Sequence, residues 1–216
     1  MESPLCETAP DGVTVFETMR YEPGQGPVRM DLHLDRMARG ATALGFPFDR
    51  ALASDLLHSV AGEQALRLRL ALSGEGAFDL TQAVFTPEKR PWTIQISETR
   101  LHSDDPWLRI KTSHRPIYGP AYAARPAGVH EWVFLNERGE VAEGTITNVF
   151  IEREGVFLTP PLTSGVLPGV LRQDLLDRGL AREAVLRPAD LVAGGVFMGN
   201  CLRGLISVSR VISAYA

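Results

Sequence analysis

Seven residues of strict alternation, Leu66-Arg67-Leu68-Arg69-Leu70-Ala71-Leu72, constrain this chain more than any average does. Side chains alternate across a strand, so the leucines line one face and the arginines the other. The apolar face needs a cover, and the segments able to supply one come earlier. Residues 33–44 place Leu34, Met37, Ala38, Ala41 and Leu44 at helical spacing and stop at Gly45. Residues 49–60 repeat the pattern with Leu52, Leu56, Leu57 and Val60. A further strand is expected over 13–21, running into the turn cluster 23–27 and a short strand over 28–30. With more strands over 78–85 and 92–98, hairpins beside two adjacent helices make the first half α+β.

The composition shifts at 101–106, where His102, Ser103, Asp104, Asp105 and Pro106 follow one another. A linker there divides the chain into a smaller α+β domain, 1–104, and a β-rich domain, 105–216, that carries Lys111. In the second half, strands are expected over 129–135, 147–152 and 156–158, with Asn136-Glu137-Arg138-Gly139 as a turn. Pro168-Gly169 opens a helix that runs to about Arg178, where Gly179 stops it. Arg187-Pro188-Ala189-Asp190 opens a short helical piece, and 195–209 reads as strand, glycine-rich turn, strand.

The 216 residues are 44% hydrophobic and 22% charged, an ordinary globular balance. A net charge of −4 gives no basic footprint, which argues against nucleic acid as the partner. Cys6 and Cys201 are the only cysteines, too few for a disulfide scaffold and consistent with a reducing compartment. The first seven residues lack the basic flank and apolar stretch of a signal peptide, and charge interrupts every hydrophobic run before membrane-spanning length. A soluble, cytoplasmic protein is expected.

Generic site motifs are missing. No P-loop, no Gly-x-Gly-x-x-Gly after a strand and no Gly-x-Ser-x-Gly elbow occurs. The histidines (33, 58, 102, 114, 130) have no paired spacing, so no metal site is expected. The basic residues are almost all arginine: Lys89 and Lys111 are the only lysines. Amine chemistry therefore has two side-chain candidates, and Lys89, within Thr86-Pro87-Glu88-Lys89-Arg90-Pro91, reads as a solvent loop. Three other segments stand out: Ile110-Lys111-Thr112-Ser113-His114-Arg115, Val141-Ala142-Glu143-Gly144-Thr145-Ile146-Thr147-Asn148, and Leu158-Thr159-Pro160-Pro161 with Ser164-Gly165-Val166-Leu167-Pro168-Gly169-Val170-Leu171. They offer an amine nucleophile, a carboxylic acid beside a turn, and a helix N-terminus suited to an anion.

In order and wording these segments resemble the class IV, or fold type IV, pyridoxal-phosphate enzymes. Phe16-Glu17-Thr18-Met19-Arg20, His33-Leu34-Asp35-Arg36-Met37 and Gly199-Asn200-Cys201-Leu202-Arg203-Gly204 fall in the same register, so the likeness runs from about Val15 to Ile212. It implies a two-domain α+β fold like that of D-amino acid aminotransferase, with the cofactor cleft between the domains and a homodimer as the assembly. It implies pyridoxal 5'-phosphate as cofactor, Lys111 as the Schiff-base lysine, and Glu143 as the acid facing the pyridine nitrogen. Arg36 and the N–H groups of Val170 and Leu171 would hold the phosphate, with Asn148, Asn200 and Cys201 lining the cofactor. Relatives usually carry a strand pair ahead of the first motif that this sequence does not show.

Within that family the expected reaction is a lyase step, 4-amino-4-deoxychorismate to 4-aminobenzoate and pyruvate. Thr18 stands where lyases resemble one another and branched-chain aminotransferases have glycine; Asn200-Cys201-Leu202 is similar to the lyase-like turn. Lys111 and Thr18 are then the catalytic candidates. Arg20, Arg203 and Tyr118 are candidates for contacting a small substrate with amino and carboxylate groups. A class IV aminotransferase acting on branched-chain or D-amino acids is the alternative, and a non-catalytic binding module a second one.

Overall fold

In a computed structural model, residues 5, 8–88 and 90–213 are described; Cys6 and Lys89 lie outside them. The chain divides into two compact units, residues 1–87 with 110–114, and residues 88–109 with 115–216.

The first unit is a four-stranded antiparallel sheet backed by two helices. Strand β1 (Val15–Glu22) lies between β2 (Gly26–Pro27) and β3 (Leu66–Leu72), and β4 (Phe78–Val84) closes the far edge. Thr18 pairs with Arg69 and Met19 with Leu68, so the leucines of the alternating segment share a face with Val15, Glu17, Met19 and Tyr21. Helices α1 (Met30–Leu44) and α2 (Arg50–His58) supply the apolar cover. Leu34, Met37, Ala41 and Leu44 of α1 are buried, and Gly40 lets the helix settle against Val15. Asp49 caps α2 by accepting from the Leu52 N–H. The short strand expected over 28–30 is helix from Met30 onward, because the turn at 23–27 is followed at once by the apolar stripe of α1.

The second unit is an eight-stranded sheet in the order β10-β9-β8-β11-β12-β5-β6-β7, in which β7 pairs again with β8. Its strands are β5 (Trp92–Leu101), β6 (Glu131–Asn136), β7 (Val141–Gly144), β8 (Asn148–Arg153), β9 (Val156–Thr159), β10 (Ala181–Glu183), β11 (Val196–Asn200) and β12 (Gly204–Ile212). The second pairing closes β8, β11, β12, β5, β6 and β7 into a ring, which removes those strands' open edges. All six send apolar side chains inward: Ile94 and Ile96, Val133 and Leu135, Val141, Val149 and Ile151, Val196 and Met198, and Ile206. Helices α3 (Tyr118–Ala123), α4 (Val170–Asp177) and α5 (Pro188–Val192) lie in its connections.

The division falls at 87/88 rather than after residue 104. Strand β5 hydrogen-bonds β6 and β12, which assigns it to the ring whatever the polarity of 101–106. Lys111 correspondingly belongs to the first unit: Phe16 N–H donates to Lys111 O at 2.9 Å, Ser113 N–H to Thr14 O at 2.8 Å, and Val15 bridges Thr112. No helix among the described residues is long and apolar enough to cross a membrane, and no group of three metal-ligating side chains occurs among them.

Candidate active site

The first unit presents Lys111 on the sheet face opposite the helices. Its Nζ stands 4.7 Å from the centroid of the Phe16 ring, and the Arg69 guanidinium stands 3.7 Å from the same centroid. Two cations over one ring is a favourable arrangement for each with the π face. Thr18 projects to this side too, two residues along β1 and opposite Arg69. Arg20, next on that face, pairs with Glu22 and lies over the Phe85 ring at 5.5 Å, so its guanidinium is already engaged with a carboxylate of its own strand.

Behind the same strand lies a buried polar cluster. Arg36 Nε donates to Glu17 Oε1 at 2.8 Å and Nη2 to Oε2 at 2.6 Å, while His33 Nδ1 stands 2.6 Å from Oε2. Glu17 and His33 are wholly buried and Arg36 is 6% exposed. Burial pulls the Glu17 carboxyl up, but Arg36 and His33 outweigh it and hold the group down at about 2.

In the second unit the chemistry gathers where the ring closes. Val133 opposes Gly144 and Leu135 opposes Val141, so β7 carries one residue more than its partner between those pairs. Such a bulge re-aims a side chain. Val141 points into the ring, whereas Glu143 is turned outward and pairs across to Asn148. Glu143 Oε1 accepts from the Tyr118 hydroxyl at 2.7 Å, and Oε2 from the Leu167 N–H at 2.9 Å and Asn148 Nδ2 at 3.5 Å. Burial, then the charge on Glu143, push the Tyr118 phenol far up, so it stays a donor at any working pH. Arg109, which donates to Val166 O and Ser103 O, is drawn down by burial and raised by Glu143's charge.

Asn148 also donates to Leu167 O at 3.1 Å, which ties β8 to the loop ahead of α4. That loop turns at Gly165, whose φ of +86° and contact with the Ser103 backbone leave no room for a side chain. At Gly169, a Cβ would overlap the Asn148 side-chain oxygen. The first intrahelical bond of α4 runs from Gln173 N–H to Gly169 O, so the N–H groups of Val170 and Leu171 precede it. No side chain caps this end. Asn200 Nδ2 donates to Ile146 O, and the Arg203 N–H donates to Asn200 Oδ1, which fixes the turn containing the buried Cys201.

One buried acid orders the 144–148 turn and was not singled out by the sequence. Glu131 accepts from Thr145 N–H, Thr145 Oγ1, Ile146 N–H and Thr147 Oγ1. Burial pushes its carboxyl up against those donors. A Cβ on Gly144 would lie 2.9 Å from it. Tyr118, expected as a substrate contact, is instead buried with its hydroxyl given to Glu143, because α3 packs it against Phe134 at 5.5 Å.

A family model described as amino-transferase class IV matches residues 14–211. The chain belongs to this family. It is 31% identical to a Schizosaccharomyces pombe protein named "Putative aminodeoxychorismate lyase", covering 78% of this chain and 75% of that one. It is 35% identical to the branched-chain-amino-acid aminotransferase of Escherichia coli K12, over 93% of this chain and 76% of that one. A crystal structure titled "Putative amino-acid aminotransferase" from Mesorhizobium loti superposes at a TM-score of 0.85 with 40% identity, over 93% of this chain and all of the other. Members of the family are enzymes that depend on pyridoxal phosphate. The protein is thus an α+β class IV pyridoxal-phosphate enzyme.

The residues present fit that cofactor. Glu143 is a carboxylate 5% exposed that accepts from a phenol and a backbone amide, suited to a pyridinium nitrogen. The uncapped start of α4 offers amide groups to a phosphate, and Gly169 lets the backbone run close to Asn148.

Proposed function

We propose that this enzyme is a lyase that converts 4-amino-4-deoxychorismate to 4-aminobenzoate and pyruvate. The observation that carries the reading is Thr18: a hydroxyl on the sheet face that also holds the Phe16 ring beneath Lys111, at a position where branched-chain aminotransferases resemble one another in having glycine. Bound pyridoxal phosphate supplies the electron sink for a carbanion next to the substrate nitrogen. Lys111 would hold the cofactor aldehyde and, once displaced from it by the substrate amine, its Nζ would take the proton from the substrate carbon that bears the amino group. Glu143 keeps a proton on the pyridine nitrogen, with Tyr118, Asn148 and the Leu167 N–H orienting its carboxylate. Arg36 and the amides of Val170 and Leu171 hold the phosphate, and the Asn200–Arg203 turn lines the site. The ring's bond to the enolpyruvyl oxygen would then break, the group leaving as enolpyruvate and taking up a proton to become pyruvate. The ring left behind is aromatic, which makes the step favourable. The working assembly in this reading is a cytoplasmic homodimer.

Aminotransfer is the second reading, favoured by the E. coli relative's greater identity and coverage. One experiment separates the two. Purified enzyme is given aminodeoxychorismate with pyruvate release followed, and separately branched-chain or D-amino acids with 2-oxoglutarate with glutamate followed. Pyruvate in the first alone is expected. Glutamate in the second without pyruvate in the first overturns the lyase reading.

A further inference from the structure

Glu17 has no part in the reaction just described, yet it occupies a core-facing position of β1 with no exposure at all. Burying a carboxylate there is costly, and an apolar side chain of similar volume would pack the same space at less cost. Its partners come from two positions one turn apart on α1, His33 and Arg36, and both reach it. The two sequence segments Phe16-Glu17-Thr18 and His33-Leu34-Asp35-Arg36 are therefore joined by a single ion-paired cluster.

The geometry of the pairing is specific. Glu17 covers the side of the guanidinium formed by Nε and Nη2, each bonded to a different carboxylate oxygen. A guanidinium is planar, so fixing that side fixes the direction of the Nη1 end, which is turned away from Glu17. His33 takes a second site on Oε2 and so limits rotation of the carboxylate itself. An arginine held this way loses little further freedom when it grips an anion, which is how a supporting residue raises affinity through another.

We propose that Glu17 is a positioning residue: by clasping Arg36 along its Nε–Nη2 side it aims the other end of the guanidinium at the cofactor's phosphate. This inference rests on the phosphate-binding role assigned above to Arg36. Glu17 stays ionised because its two basic neighbours hold its carboxyl at about 2, so the clasp persists across the working pH range.

The test compares two ligands that differ only in the phosphate. The full-length chain, freed of cofactor, is titrated with pyridoxal phosphate and with pyridoxal, each followed by its absorbance change and by borohydride fixation. Wild type is expected to bind the phosphorylated form far more tightly. In Glu17→Gln the ratio of the two dissociation constants should fall by about tenfold, with pyridoxal binding unchanged, because only the phosphate contact is disturbed. Equal weakening toward both ligands, or an unchanged ratio, overturns the proposal, since a purely structural role would move them together. Arg36→Lys provides a second reading that does not depend on Glu17→Gln folding. It keeps the positive charge and an ion pair to Glu17 but has no second side to present, so the ratio should fall there too. A retained ratio in Arg36→Lys means charge alone suffices and sinks the clasp. Wild type that fixes neither aldehyde, or binds both alike, refutes the site assignment itself, a distinct outcome from loss of the ratio in a variant.

Discussion

Gly169→Ala tests how closely the β7–β8 closure is fitted to the start of α4. Gly169 has φ −65° and ψ 141°, values that alanine adopts freely, so backbone strain contributes nothing. The added methyl instead overlaps the Asn148 side-chain oxygen and comes 3.0 Å from its Cγ. Asn148 is 6% exposed, and swinging aside would take its Nδ2 from Leu167 O, 3.1 Å away, and from Glu143. Overpacking a tight site costs about 1–3 kcal/mol. The lost hydrogen bond adds about 1 kcal/mol, offset by roughly 0.4–1 kcal/mol from a stiffer unfolded chain. A net loss of about 1–3 kcal/mol is expected from the shift of the urea midpoint at pH 7, together with weaker cofactor binding. Gly119→Ala is the control: nothing lies within 4 Å of its Cβ, and it should be neutral or slightly stabilising. Combining Gly169→Ala with Asn148→Ala should remove most of the penalty, because the obstacle is gone. A single variant within about 0.5 kcal/mol of wild type, or a double variant whose losses simply add, refutes the reasoning.

Other consequences follow from the buried acids. Glu17 has a folded value of about 2 against 4.5, so its stabilisation is complete above about pH 4.5 and is lost as the pH falls toward 2. The difference corresponds to about 3 kcal/mol; acid unfolding of Glu17→Gln should lack that part of the slope, and an identical acid limb would contradict it. Glu131→Gln places an amide NH2 against backbone and hydroxyl donors of residues 145–147, and should cost about 1–3 kcal/mol in thermal or urea unfolding. No loss there would show that the turn is not held by that carboxylate. Tyr118→Phe keeps the ring against Phe134 but removes one donor to Glu143, with an expected loss of about 1 kcal/mol, independent of pH from 6 to 9. A loss that grows toward high pH would mean the phenol ionises, against its buried setting.

Much of this was legible in the residues. The alternation at Leu66–Leu72 and the two apolar stripes before it gave the first sheet and its helical cover, and Pro168-Gly169 marked α4 to within a residue. Lys111, Glu143 and Arg36 could be named because motifs resembling a family fixed their register. Non-local pairing was not legible. The assignment of β5 depends on hydrogen bonds to β6 and β12, and nothing in 92–101 distinguishes that partner from β4. Strand β10 and helix α3 are three and six residues long, too short for a periodic signal. Glu17 could have been found. A carboxylate sharing the strand face of Val15, Met19 and Tyr21 demands partners, and His33 and Arg36 sit three apart on the buried stripe of the next helix. Glu131 had no such cue, because its donors belong to a turn ten and more residues later.

The attachment point of the cofactor bears most directly on the account. Borohydride reduction of the pyridoxal-phosphate-loaded enzyme, followed by peptide mass spectrometry, should place one reduced cofactor on the peptide containing Lys111, and Lys111→Ala should lose both the label and the visible absorption band. Label on another residue, or an unchanged band in Lys111→Ala, would contradict it.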